Sequence, residues 1–279
     1  MTASIHVTFK SRFGLCNRLR GLAGYYALSK SLNQKLFYTW EADPSCPGLI
    51  DEVFLPIPGA IPVAQLPAAD DQTLSIGTSS SPLQPSHCGS PPELTFQAHC
   101  QGHGQGHGQV SRATFDAFVG EFYQLLIPIN AVVQRVEALM KNNETSETPS
   151  LGVHIRRTDM VDLRARKGLP PLQNVIPNYA RSFLDRHPAG KVFLACDNPS
   201  SLEQARTILG PRALSLEHHW IEANRAASED TSKQARLTGL FDAVCDLYML
   251  ANCDSIIGTV GSSFCTFAGQ WGGKPTAYH

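Results

Sequence analysis

The chain has 279 residues, 42% hydrophobic and 17% charged, with a net charge of −1 and a pI near 6.8. Those values describe a globular chain, long enough for one large domain or two ordinary ones. There is no basic surplus, which sets nucleic acid aside as an expected partner, and no uninterrupted apolar run of about 18 residues, so no membrane span is expected.

Met1–Val7 lacks a basic segment followed by a long apolar core. It reads as a first strand rather than a secretory signal, so the expected location is cytoplasmic. Eight cysteines, at 16, 46, 88, 100, 196, 245, 253 and 265, form no CxxC pair and no zinc spacing. Reduced, buried thiols are the expectation, with no metal and no resident cofactor.

Ile5–Phe9 reads as a strand, Leu19–Leu32 as a helix with apolar residues at helical spacing, and Lys35–Trp40 as a second strand. A strand–loop–helix–strand opening predicts an α/β unit with a parallel sheet. Residues 41–112 are dense in Pro, Ser, Gly and Gln, with short strands expected around Asp51–Leu55 and Ala60–Val63. Gln97–Gln109 is low in complexity. Its His99, His103 and His107 recur every four residues, but the glycines between them argue against a helix, and a loop over the site is favoured over a metal cluster. Thr114–Leu126 and Ala131–Asn142 read as helices split at Pro128. The polar stretch Asn143–Pro149 is the expected boundary between a domain over 1–148 and another over 149–279. It contains a formal glycosylation sequon at Asn143, read as chance.

From Leu151 the α/β rhythm is clear. Strands are expected at 151–155, 191–195, 213–216 and 255–259. Helices are expected near 178–186, from Leu202, over 239–251 and after Ser263. Two α/β halves joined by a linker predict two Rossmann-like domains facing each other across a cleft, a layout shared by two-domain glycosyltransferases and many other proteins.

Chemistry concentrates at Gly152-Val153-His154-Ile155-Arg156-Arg157-Thr158-Asp159. A buried, β-branched strand that breaks into two arginines suits an anionic ligand with several oxygens, because each guanidinium offers a planar fork of donors. The structural alternative is a pair of surface ion pairs. Gly261-Ser262-Ser263, between a strand and a helix, offers free backbone N–H groups at the positive end of a helix dipole, a phosphate seat; the alternative is an ordinary serine cap. Gly14 and Asn17 lie in the equivalent turn of the first half, which could face the same ligand or simply cap a helix. It is not a GxGxxG, so dinucleotide binding is not supported. Asp197, ending a strand, suits a sugar hydroxyl or a helix cap. Asp246, inside an apolar helix, lies on a polar face or reads a ligand such as a base edge.

Three blocks occur in order: His154–Asp159; Phe193-Leu194-Ala195-Cys196-Asp197-Asn198-Pro199; and Asp246 through Asn252-Cys253-Asp254 to Gly258-Thr259-Val260-Gly261-Ser262-Ser263-Phe264. Together they resemble the α1,6-fucosyltransferase superfamily, which includes core, nodulation and, more distantly, protein O-fucosyltransferases. Gly14–Leu19 and the strand into Trp40 also resemble bacterial and virus-encoded members; residues 41–112 match no block. The resemblance implies a GT-B fold and an inverting, metal-independent transfer from a nucleotide-diphosphate sugar, GDP-fucose first, to an oligosaccharide or glycoprotein acceptor. As a departure from the animal core enzymes, the chain is expected to lack their stem and extra C-terminal domain. By position, Arg156 would bind the donor β-phosphate and assist its departure, with Arg157 in support and Asp159 as the block's own carboxylate. His154 and Asp246 would hold the base, Ser262 and Ser263 would cap the pyrophosphate, and Asp197 would lie beside the sugar or acceptor. Where the core enzymes have a lysine and a glutamate, this chain has Met160 and Arg164, which leaves the base unassigned and Asp162 as candidate. Two alternatives follow: the same fold with another donor, such as UDP-xylose, or a nucleotide- or glycan-binding protein without catalysis.

Overall fold

The structure is a computed structural model that describes residues 4–9, 13–65, 73–76, 92, 110–142, 148–156, 172–222 and 236–278. They form two compact units, Met1–Ile127 and Pro128–His279.

The first unit holds β1 (Ser4–Phe9), α1 (Leu15–Ser31), β2 (Lys35–Trp40), β3 (Ala60–Pro62), β4 (Thr73–Ile76) and α2 (Arg112–Leu125). Its sheet runs β3-β2-β1-β4 with every pair parallel. Ile5, His6 and Val7 are all buried, so β1 is covered on both faces, as a central parallel strand must be. Helix α1 is buried on nearly every side because it lies between the sheet and α2. Tyr26 stacks near Phe122 at 5.7 Å and donates to Glu121 Oε1 at 2.6 Å. The strand expected over Asp51–Leu55 is instead a 3₁₀ turn at Ile50–Glu52. The Glu52 carboxylate accepts the Leu49 N–H, a local bond that competes with a sheet ladder. Strand β4 has no counterpart in the sequence expectation.

The second unit holds α3 (Asn130–Asn142), β5 (Ser150–Ile155), α4 (Leu172–Arg186), β6 (Lys191–Cys196), α5 (Pro199–Leu209), β7 (Ala213–Leu214), α6 (Leu240–Asn252), β8 (Ser255–Gly258), α7 (Ser263–Gly272) and β9 (Thr276–Tyr278). Its parallel sheet runs β7-β6-β5-β8-β9. This is the doubly wound order, with the direction of winding reversing at β5. Val153, Ile155, Leu194, Phe183 and Leu202 build the core on the α4–α5 face. The units divide before α3, ahead of the polar linker at 143–149. Helix α3 packs on α6, and Arg135 Nη1 meets Asp242 Oδ1 at 2.6 Å. Polarity marked the linker as exposed, but tertiary contacts assign the helix before it.

Six cysteines, at 16, 46, 196, 245, 253 and 265, are buried and outside any disulfide; positions 88 and 100 lie outside the described residues. Among the described residues no helix is long and apolar enough to cross a membrane.

Candidate functional site

The carboxyl ends of β5 and β8 part at the reversal of winding, the place where open α/β sheets bind ligands. The β5–β8 ladder ends at His154 opposite Gly258. Beyond it the Arg156 N–H donates to Thr259 Oγ1 at 3.2 Å, so a side chain carries the pairing one step further. Arg156 is half-buried and Thr259 fully buried.

After Thr259 the chain turns through Gly261, whose φ of +79° is a conformation that favours glycine. Ser262 then caps α7, its Oγ accepting the Phe264 N–H at 3.4 Å. That oxygen also lies 3.4 Å from His154 Nδ1, and the imidazole stacks on Phe264 with centroids 4.8 Å apart. Helix α7 approaches β8 closely: a Cβ at Gly258 would sit 2.5 Å from Cys265 Sγ. Burial pushes the Cys265 thiol up to about 11, so it is no nucleophile at neutral pH. His154, Arg156, Ser262 and Ser263 therefore lie at one junction, and the two serines differ there. Ser262 is fully buried and its hydroxyl is used within the fold, whereas Ser263 is half-buried at the first helical position. Backbone amides and Ser263 are the groups this turn offers an anion.

Asp246 lies on α6. A Cβ at Gly152 would touch Leu250 Cδ2 at 2.8 Å, so Asp246, about one turn earlier, is level with the carboxyl end of β5. It is buried and its Oδ2 pairs with His218 Nε2 at 2.9 Å. Among the described residues Asp246 Oδ1 and His218 Nδ1 have no partner. Burial pushes the Asp246 carboxyl up. Burial opposes charge on His218, but the hydrogen bond and the charges of Asp246 and Asp242 outweigh it and raise that imidazole above 6.5. The segment carrying His218 is anchored on both sides. Arg135 donates to the Glu217 carbonyl, and the His219 N–H donates to Asp242 Oδ2 at 2.8 Å. Neither His218 nor Thr259 received a role from sequence. The tandem histidines follow a weak strand and showed no periodicity, and Thr259 was one small residue within a longer block.

Asp197 follows β6, the strand adjacent to β5, and is half-buried; Asn198, not Asp197, caps α5 through Oδ1 to Ser201 N at 3.0 Å. Gly14 and Asn17 belong to the first unit. Gly14 caps α1 by backbone alone, and Asn17 sits in its first turn. The dominant side chain there is Arg18, fully buried, donating to the carbonyls of Phe13 at 2.7 Å, Phe9 at 3.4 Å and Glu41 at 2.5 Å, and to Asp43 Oδ2 at 2.5 Å. Arg157, Asp159 and Asp162 lie outside the described residues, as does the His/Gly/Gln tract 97–109.

A family model for alpha-(1,6)-fucosyltransferase N- and catalytic domains matches residues 107–270. No curated protein matches the chain. Among solved structures, fucosyltransferase NodZ from Bradyrhizobium is 18% identical with a TM-score of 0.54, covering 96% of this chain and 92% of its own. NodZ alpha-1,6-fucosyltransferase soaked with GDP-fucose gives 17%, 0.53 and the same coverage. The apo form of POFUT1 gives 12% and 0.59, covering 100% of this chain and 98% of its own. Likeness at these identities is one of fold. The α/β class with parallel sheets read from the sequence, GT-B, is the class of these fucosyltransferases.

Proposed function

Because the chain belongs to the family of alpha-(1,6)-fucosyltransferase N- and catalytic domains and is thus a glycosyltransferase, we propose that it moves L-fucose from GDP-fucose to a glycan acceptor, with inversion and without a metal. The observation that carries this reading is the junction of β5 and β8, where Arg156 is fixed by its backbone beside the turn that opens α7. A departing nucleoside diphosphate gains negative charge in the transition state. A fixed guanidinium and helix-start amides stabilise that charge without reorganising, the role a cation fills elsewhere. The bond from the sugar's anomeric carbon to the β-phosphate oxygen breaks as the acceptor oxygen bonds to that carbon from the opposite side. The acceptor's proton passes to a base, for which Asp162 is the candidate. Asp246 would take a donor N–H of the base through Oδ1, an acceptor without a donor among the described residues. Asp197, on the neighbouring strand end, would face a sugar hydroxyl. NodZ soaked with GDP-fucose is a relative in fold that supports the donor assignment.

The test is transfer from GDP-fucose to a glycan panel, before and after chelator treatment, with the product anomer read by NMR. Activity that survives the chelator and an inverted anomer are expected. A thermal-shift panel of GDP, UDP and their sugars distinguishes the donor, because a ligand that prefers the folded state raises the melting point. Stabilisation by UDP-xylose and not by GDP-fucose overturns the donor assignment. Met160 and Arg164, in place of a lysine and a glutamate, are the reason to include it.

A further inference from the structure

Thr259 sits where the two arms of the proposed diphosphate site meet, and it uses two different acceptors to hold them. Its carbonyl takes the Ser262 N–H at 3.0 Å and lies 3.8 Å from Cys265 Sγ, closing the turn that starts α7. Its hydroxyl takes the Arg156 N–H at 3.2 Å. The strands have already parted at this point: the last ladder pair is His154 and Gly258. Without the hydroxyl, that bond would be lost on the β8 side of Arg156, at a threonine with no solvent exposure.

We propose that Thr259 is a positioning residue for sugar transfer: its side chain sets the backbone of Arg156 against the N-terminus of α7, so that the guanidinium and the helix-start amides act on the same diphosphate. This rests on the donor reading above. A second bond between the arms, from Ser262 Oγ to His154 Nδ1 at 3.4 Å, is longer and lies two residues before the arginine. The bond from Thr259 lies at the level of the arginine itself. The role needs an oxygen on a β-carbon and little else, so serine keeps it and valine, of nearly the same shape, removes it.

The experiment compares wild type, Thr259→Val and Thr259→Ser in GDP titrations and in GDP-fucose turnover. Thr259→Val is expected to fold and to lower kcat by roughly tenfold or more, the effect of unfixing a charge-stabilising group. The KM for donor is expected to move less, because the misplacement is felt most as charge develops. Thr259→Ser is expected to recover most of kcat. A Val variant with wild-type kcat, or a Ser variant as impaired as Val, overturns the proposal, as does a loss that simply follows a lowered melting point. If the wild-type chain binds no GDP, the donor reading falls and this proposal with it. If the wild type binds and turns over GDP-fucose while Thr259→Val does so equally well, only this proposal falls.

Discussion

Arg18, in the first turn of α1, reaches the end of β1, and Arg156 follows directly on β5; each lies by the first strand of a sheet that winds both ways, and the two units use them differently. Arg18 has no exposed surface. Its donors go to three carbonyls at the ends of β1, the following loop and β2, and to Asp43, which itself accepts from Ser45 and Cys46. It is an internal strut. Arg156 keeps partial exposure, and the contact that fixes it comes through its backbone. The difference teaches that an arginine at a strand end is read by where its donors are spent rather than by its place in the motif. Carbonyls and a buried carboxylate make a fold element; a partly exposed arginine whose backbone is held at the end of a central strand is the candidate for a ligand contact.

The largest expected effect breaks the strut. Arg18→Ala should destabilise the protein by about 3–5 kcal/mol, because it leaves Asp43 and three carbonyls without their donor. Denaturant titration checks this, and a wild-type midpoint would show the network is dispensable. Arg156→Ala should do the reverse, lowering transfer by about 10²–10³-fold with a melting point close to wild type. If it unfolds the protein while turnover per folded molecule is kept, the contrast between the two arginines is lost.

A smaller effect concerns the buried pair in the second unit. The His218 pKa is raised in the folded state, so its stabilising contribution is complete below 6.5 and fades as pH climbs through the folded value. Asp246, also raised, acts in the same direction. His219, Arg135, Asp242 and Cys245 are the other titratable groups around the pair. Wild type should lose stability relative to His218→Phe as pH rises through the folded value, read by denaturant titration at several pH values. Parallel stability profiles would show the pair is not charged as described. The smallest change, Asn198→Ala, removes the cap of α5 and should cost about 1 kcal/mol without touching either arginine. A larger loss would mean that this turn is coupled to its neighbours.

Much of the second unit was legible beforehand. Strands β5, β6 and β8 are apolar runs buried on both faces, and Gly and Pro punctuate their ends, so periodicity found them to within a residue or two. The first unit was legible as far as β2. Past Trp40 the strands are short and the composition is that of loops. There a local carboxylate bond made a turn of Asp51–Leu55, and β4, although Thr73–Ile76 alternates polar and apolar, is only four residues long within a loop-like composition. The cluster at the β5–β8 junction was visible as a motif. The roles of Arg18, Thr259 and His218 were not, because each depends on a partner distant in sequence: Asp43, the amide of Arg156, and Asp246.

The order of residues by itself determined that this chain forms parallel α/β sheets and that its charged strand end and its serine-capped helix start belong together, since β-branched runs, caps and breakers act locally. Only tertiary structure decided that Arg18 is a strut while Arg156 stays partly exposed, and which hydroxyl serves the fold. Those are questions of burial and of long-range hydrogen bonds, and both are set when strands far apart in the chain come side by side.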